Sequence, residues 1–178
     1  MVLTDIFFPK QCIVCSRIGF EICDKCITHI TRSLPKCMVC GKINTKGDTH
    51  LLCSKNLSFK LSYIQGWDIP YDIYMNFRRK RDLSIYSTHK YLLEDLLERS
   101  NIQNKLFRVI PIQNNPIDRF LVSHVYSDSN SKHLCVVGEN IPDRYQLIQR
   151  LEKYVTTNRL EDVLVISLFN CLEEQDHL

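Results

Sequence analysis

Three Cys-x2-Cys pairs fall within thirty residues: Cys12 and Cys15, Cys23 and Cys26, Cys37 and Cys40. A two-residue gap lets both thiolates point at one ion, and the backbone N–H groups of the turn can donate to the sulfurs. Seven of the nine cysteines lie between Cys12 and Cys53. The opening "MVLTDIFFPKQC" has no basic stretch followed by an apolar core and a small-residue cleavage site, so the chain is expected in the cytoplasm. In that reducing compartment paired cysteines mean metal rather than disulfides. Cys135 and Cys171 each sit in an apolar run, where a small buried thiol is the simpler reading.

Cys12, Cys15, Cys23 and Cys26 form the expected ligand set of one tetrahedral zinc. A second set starts from Cys37, Cys40 and Cys53, but the position two residues beyond Cys53 falls near Asn56, a poor zinc ligand. His50 is the nearest candidate to complete it, with a solvated turn residue in Gly-Asp-Thr-His as the competing reading. Four protein ligands leave no open position for water, so both sites are expected to be structural. Residues 8 to about 56 also hold too little aliphatic content for a core of their own, a deficit that structural metal makes good.

Net charge is +3 but uneven: residues 1–60 carry nine Lys/Arg against four Asp/Glu, and the remainder fourteen against sixteen. A basic head suggests a nucleic-acid partner. Zinc weakens the inference, because a four-thiolate centre adds about −2 and a three-thiolate centre with histidine about −1. Apolar content of 44% and charged content of 24% are those of a folded protein, with no run long enough to span a bilayer.

Beyond the head, "LSFKLSYIQGW" alternates as a half-exposed strand does, and residues 69–100 read as a turn leading into helix. Leu92, Leu93, Leu96 and Leu97 mark one helical face. Strands are expected over 105–112, at "HLCVV" and at "DVLVISLFN", with a helix over 142–157 carrying Leu147, Ile148, Leu151, Tyr154 and Val155 on one stripe. Strand, helix, strand with continuous apolar runs is a βαβ unit on a parallel sheet, its crossover right-handed. Ligands of such sheets bind beyond the carboxyl ends of the strands, here at "VGENIPDRYQL". The expected organisation is a double zinc ribbon over 1–56 and an α/β domain over 57–178.

The order of these parts resembles the ComF family of competence proteins: "FPKQCIVC", "LPKCMVCGK", an aromatic connector with a basic helix, "VIPI", an Arg-Phe and a closing βαβ unit. The resemblance implies an N-terminal zinc ribbon joined to a phosphoribosyltransferase-like, Rossmann-like domain, and a role in importing single-stranded DNA during natural transformation. The departures are informative. Pro111 and Arg119 keep the family's proline strand and arginine, but its following Gly, Asn and Gln are absent. The interval to the phosphoribosyl-pyrophosphate loop is several tens of residues short, which implies a truncated domain. In that loop the family's two acids fall on Gly138 and Glu139, and its Thr-Thr-Gly on Pro142, Asp143 and Arg144.

A phosphate site at a helix N-terminus needs free backbone N–H groups, small residues and hydroxyl donors. Pro142 removes one N–H, and Asp143 puts a carboxylate where phosphate would sit. Asp143 reads better as a first-turn residue favouring the helix dipole. Glu139, Asp143 and Arg144 are the candidate ligand-binding residues, with Glu139 the one that keeps the family's chemistry. Arg78, Arg79, Lys80 and Arg81, beside Phe77 and near Tyr71, Tyr74 and Tyr86, have the mixture of cations and aromatic faces that suits single-stranded DNA; a solvated helix face is the competing reading. Lys10, Arg17, Lys25 and Lys36 offer further contacts, or the ribbon docks a helicase. The leading expectation is a ComF-like protein handling incoming single-stranded DNA without transferase activity. The alternatives are a phosphoribosyl-pyrophosphate-dependent enzyme or sensor, and a protein-docking adaptor.

Overall fold

The structure, a computed structural model, describes residues 11–12, 14–20, 22–26, 30–44, 47–79, 84–102 and 106–172. A ribbon segment leads into an α/β domain built on one mixed, mostly parallel sheet. In chain order the strands are β1 (Thr31–Arg32), β2 (Lys60–Pro70), β3 (Arg108–Pro111), β4 (His133–Asn140) and β5 (Asp162–Leu172). The helices are α1 (Leu51–Ser54), α2 (Tyr71–Arg79), α3 (Ser84–Arg99), α4 (Pro116–Val122) and α5 (Arg144–Asn158).

The sheet runs β1-β2-β5-β4-β3, with only the β1–β2 pair antiparallel. Alternation along the strands divides the core in two. Cys135 and Val137 of β4 and Leu164, Ile166 and Leu168 of β5 face Leu92, Leu93 and Leu96 of α3. Leu134 and Val136, with Val163 and Val165, face Leu147, Leu151 and Val155 of α5. Burying both faces explains why these strands read as unbroken apolar runs.

Three expectations are corrected. β2 alternates as expected over Lys60–Gln65, but it lies between β1 and β5 and is buried without a break through Gln65, Gly66 and Trp67. β4 does not stop at Val137, because Gly138 and Asn140 still pair with Ser167 and Phe169 of β5, which leaves only residues 141–143 as the turn. The helix α4 was not expected. Its signal is nevertheless present, since Asn115 caps it by accepting from Asp118 N at 2.8 Å and Pro116 opens it. Cys135 is fully buried as expected, whereas Cys171 at the strand end is half-buried. Among the described residues no helix is long and apolar enough to cross a membrane.

Candidate metal centres and the strand-end site

Two knuckles share one backbone design, offset by 25 residues. Gln11 bridges Ile18 and Lys36 bridges Ile43, each antiparallel. Cys12 N donates to Arg17 O and Cys37 N to Lys42 O, both at 2.9 Å; Ser16 N and Gly41 N return bonds to the Cys12 and Cys37 carbonyls. Ser16 (φ 62°) and Gly41 (φ 72°) both take the left-handed conformation that closes such a turn. Glycine carries that geometry without cost in the second knuckle, and serine carries it in the first.

The ligand atoms of Cys12, Cys15, Cys23 and Cys26 lie within 4.8 Å of one another, as do those of Cys37, Cys40, His50 and Cys53. Cys15 Sγ and Cys23 Sγ are 3.6 Å apart, close to the edge of about 3.8 Å that two thiolates span on tetrahedral zinc. Cys40 Sγ lies 3.3 Å from His50 Nδ1. The second set closes with His50-x2-Cys53, a two-residue gap in which the histidine takes the place of the first cysteine and sits at the N-cap of α1. The ligand sought beyond Cys53 thus stands before it. Four N and S donors at this spacing suit zinc.

Residues 3–56 match the double zinc ribbon domain. The ribbon is a zinc-binding module, and its two clusters are the residues that would hold the ions. No curated protein and no solved structure matches the chain.

The thiols within each cluster differ in acidity. Burial raises Cys12, but hydrogen bonds from the backbone N–H groups of Cys15, Cys23 and Val14 outweigh it and bring the thiol down to about 6. Cys37 is brought to about 6 in the same way, burial again opposed by the N–H groups of Cys40, His50 and Val39. Burial, then the neighbouring sulfurs, push Cys26 up to about 12 and Cys53 to about 11. Each cluster therefore prepares one thiolate for metal and leaves a partner whose proton the metal must displace.

The ribbon grips the edge of the sheet on both faces. Ile30 is buried in the core on the α3 side, with Val14 and Ile22 against it, while Met38 is fully buried in the core on the α5 side. Tyr63 N donates to Gly47 O at 2.9 Å, and the Thr49 hydroxyl donates to Leu61 O at 2.7 Å. Asp68 collects the Ser33 hydroxyl at 2.8 Å and the Asn170 amide at 2.7 Å, tying β1 to both β2 and β5.

At the carboxyl ends of the strands, Glu139 is buried and fully engaged. Tyr74 OH donates to Oε2 at 3.1 Å, Arg78 Nε lies 3.3 Å from the same oxygen, and His89 Nε2 lies 3.0 Å from Oε1. Asp118 accepts from Glu139 N at 2.9 Å and from Gln113 N at 2.8 Å. A Cβ on Gly138 would come within 2.7 Å of Ile112 and 2.8 Å of Asp118 Oδ2, so glycine is what lets this carboxylate approach. Burial raises the Asp118 carboxyl despite those N–H donors. The Tyr74 phenol is raised by burial and then by Glu139. Burial alone would lower Arg78, but the Glu139 charge outweighs it and raises the guanidinium.

The other strand-end candidates are also occupied within the chain. Asp143 is the N-cap itself rather than a first-turn residue, accepting from Gln146 N at 3.0 Å, with Pro142 just outside the helix. Arg144 turns toward the ribbon, where a Cβ on Gly41 would meet its Nη1 at 2.8 Å. Arg78 is committed to Glu139 and lies over the Tyr74 ring at 5.9 Å, while Arg79 is exposed. Lys80, Arg81 and Lys10 lie outside the described residues, as does the Phe77 side chain. Tyr74 is core, Tyr86 packs edge-on against Phe120 at 5.0 Å, and Tyr71 is exposed. Arg17 and Lys25 are exposed, and Lys36 lies 3.9 Å from Asp68.

Sequence reasoning missed His89 and Asp118, and gave Tyr74 an aromatic face for DNA rather than a hydroxyl for Glu139. His89 carried a readable signal, because it stands four residues after Ile85 and three before Leu92 on the buried stripe of α3. A histidine on such a stripe needs a buried partner. Nothing in the chain before Glu139 says which residue that is.

Proposed function

We propose that the chain is a ComF-like protein that helps handle single-stranded DNA in natural transformation and has no phosphoribosyl transfer activity. What carries the reading is a zinc ribbon joined to a parallel α/β domain whose strand-end site has no phosphate cradle. Asp143 fills the N-terminus of α5, and Glu139 is buried among its own partners. A bound phosphate would meet a carboxylate where it needs free N–H groups. The exposed Arg79 at the end of α2, with the cations that follow it in sequence, supports direct contact with DNA.

The test is a titration of labelled single-stranded oligonucleotide into the zinc-loaded protein at several salt concentrations. Affinity should fall with salt, and Arg79→Ala with Arg81→Ala should flatten the slope by about one unit per residue. No binding at low salt would take the DNA off this chain, and salt-independent binding would take it off the cationic face. Calorimetry with phosphoribosyl pyrophosphate and magnesium tests the other half, since micromolar binding would restore the enzyme or sensor reading.

A second reading, a protein-docking adaptor for a helicase, is favoured by the apolar surface of the ribbon. Leu51 is 85% and Leu52 77% exposed beside the second metal cluster, and Ile18 and Ile43 stand exposed at matching knuckle positions. A partner that stays bound after nuclease treatment and is lost in Leu51→Ser with Leu52→Ser would favour the adaptor.

A further inference from the structure

The strand-end cluster is made of groups that seek an anion. Arg78 brings a guanidinium, Tyr74 a hydroxyl and His89 an imidazole, and all three converge on the Glu139 carboxylate. His89 Nδ1 lies 2.7 Å from Ile85 O, and a carbonyl can only accept, so Nδ1 carries a hydrogen. The 3.0 Å contact from Nε2 to Oε1 then holds a further proton between imidazole and carboxylate. Asp118 acts on Arg78 only as a weaker, more distant charge than Glu139, and both its oxygens accept backbone N–H groups.

We propose that Glu139 is a resident counter-anion: it fills from within the chain an anion site built by Arg78, Tyr74 and His89, and so closes the strand-end crevice to an external phosphate or carboxylate. Its effect reaches beyond the site, because Tyr74 and Arg78 come from α2 and His89 from α3. One carboxylate on β4 thus anchors both helices that follow β2. Arg78 is the way in, since its side chain is 39% exposed while that of Glu139 is 1% exposed. The inference deepens the reading of a strand end without transferase activity, and rests on it.

Removing the carboxylate should leave a vacant site for a small anion. In the zinc-loaded full chain, Glu139→Ala is expected to lower the melting temperature by about 10 °C. Formate, acetate or phosphate at matched ionic strength should return part of that loss relative to chloride. The wild type should not respond, and Arg78→Ala in the Glu139→Ala background should abolish the rescue. Equal response of wild type and variant, or no rescue by any of the three anions, would overturn the proposal. Should Glu139→Ala fail to fold, Glu139→Gln and Arg78→Ala combined in a double-mutant cycle decide the matter. Strong non-additivity supports the lock and additive losses overturn it. Phosphoribosyl pyrophosphate binding by the wild type would sink the transferase-free reading and the lock with it, whereas absent rescue without such binding would overturn the lock alone, so the two failures are told apart.

Discussion

The two metal centres use the same knuckle and are embedded differently. The first holds four cysteines, its second pair in a turn, and leans on the α3 face through Val14 and Ile22. The second holds three cysteines and a histidine, its second pair on α1, and is sewn to β2 through Gly47, Asp48 and Thr49. Met38, within the second knuckle, is part of the α5-side core itself. The lesson is that an identical local motif can lean on a core from outside in one place and lend it a fully buried side chain in another. What differs is where the intervening residues pack, not how the sulfurs are spaced.

The sharpest way to break this comparison is to remove one ion at a time. Cys37→Ser should lose one zinc and lower the melting temperature by roughly 10 °C or more, with faster hydrogen exchange at the Tyr63 amide that donates to Gly47. Cys15→Ser should lose the other zinc and leave exchange along β2 largely unchanged. Equal damage to β2 from both would erase the distinction.

Met38→Ala should cost about 2–5 kcal/mol in chemical denaturation of the zinc-loaded protein, the range for truncating a fully buried apolar side chain. A loss near zero would mean that the second knuckle does not share the core.

His50→Ala should weaken the second centre by at least about tenfold, and His50→Cys should rebuild it as a four-thiolate site. Cobalt substitution reads the result, since the absorption bands of the second centre should then move to those of the first. Bands that ignore His50 would remove it from the ligand set.

Acid should release zinc from both centres together. Cys12 and Cys37 are each brought from the ordinary thiol value of 9.0 to about 6. Their thiolates therefore contribute fully above 9, and the contribution drains away as pH falls through about 6. Competition assays between pH 6 and 8 should show affinity rising with pH at both sites, because Cys26 and Cys53 must also give up protons. The smallest expected effect is Ser16→Gly, which relieves a left-handed serine and should stabilise the first knuckle by up to about 1 kcal/mol. A stabilisation of the same size from Gly41→Ser would contradict the account of the turn.

Local chemistry made much of this legible. Spacing alone picks out the ribbon ligands, because a knuckle needs only two cysteines and the turn between them. His50-x2-Cys53 has the same spacing and was harder to read only because one member is not a cysteine. Apolar runs mark β4, β5 and α5, since burial on both faces of a parallel sheet leaves its trace residue by residue. β2 alternates as its sequence does, while its place inside the sheet, between β1 and β5, left no such trace.

By itself the sequence determined where metal binds, that a parallel α/β unit follows, and that Pro142 and Asp143 make a helix start unsuited to phosphate. Those are contacts among near neighbours, with short-range signatures. Only the tertiary structure decided what became of Glu139: Tyr74, Arg78 and His89 lie 65, 61 and 50 residues before it in the chain, and close on it only once α2 and α3 pack over the end of β4. The same holds for Arg144, whose place against Gly41 depends on a ribbon docked to the sheet edge. A buried charge is settled by whichever partners folding brings to it, and that pairing has no spacing to read.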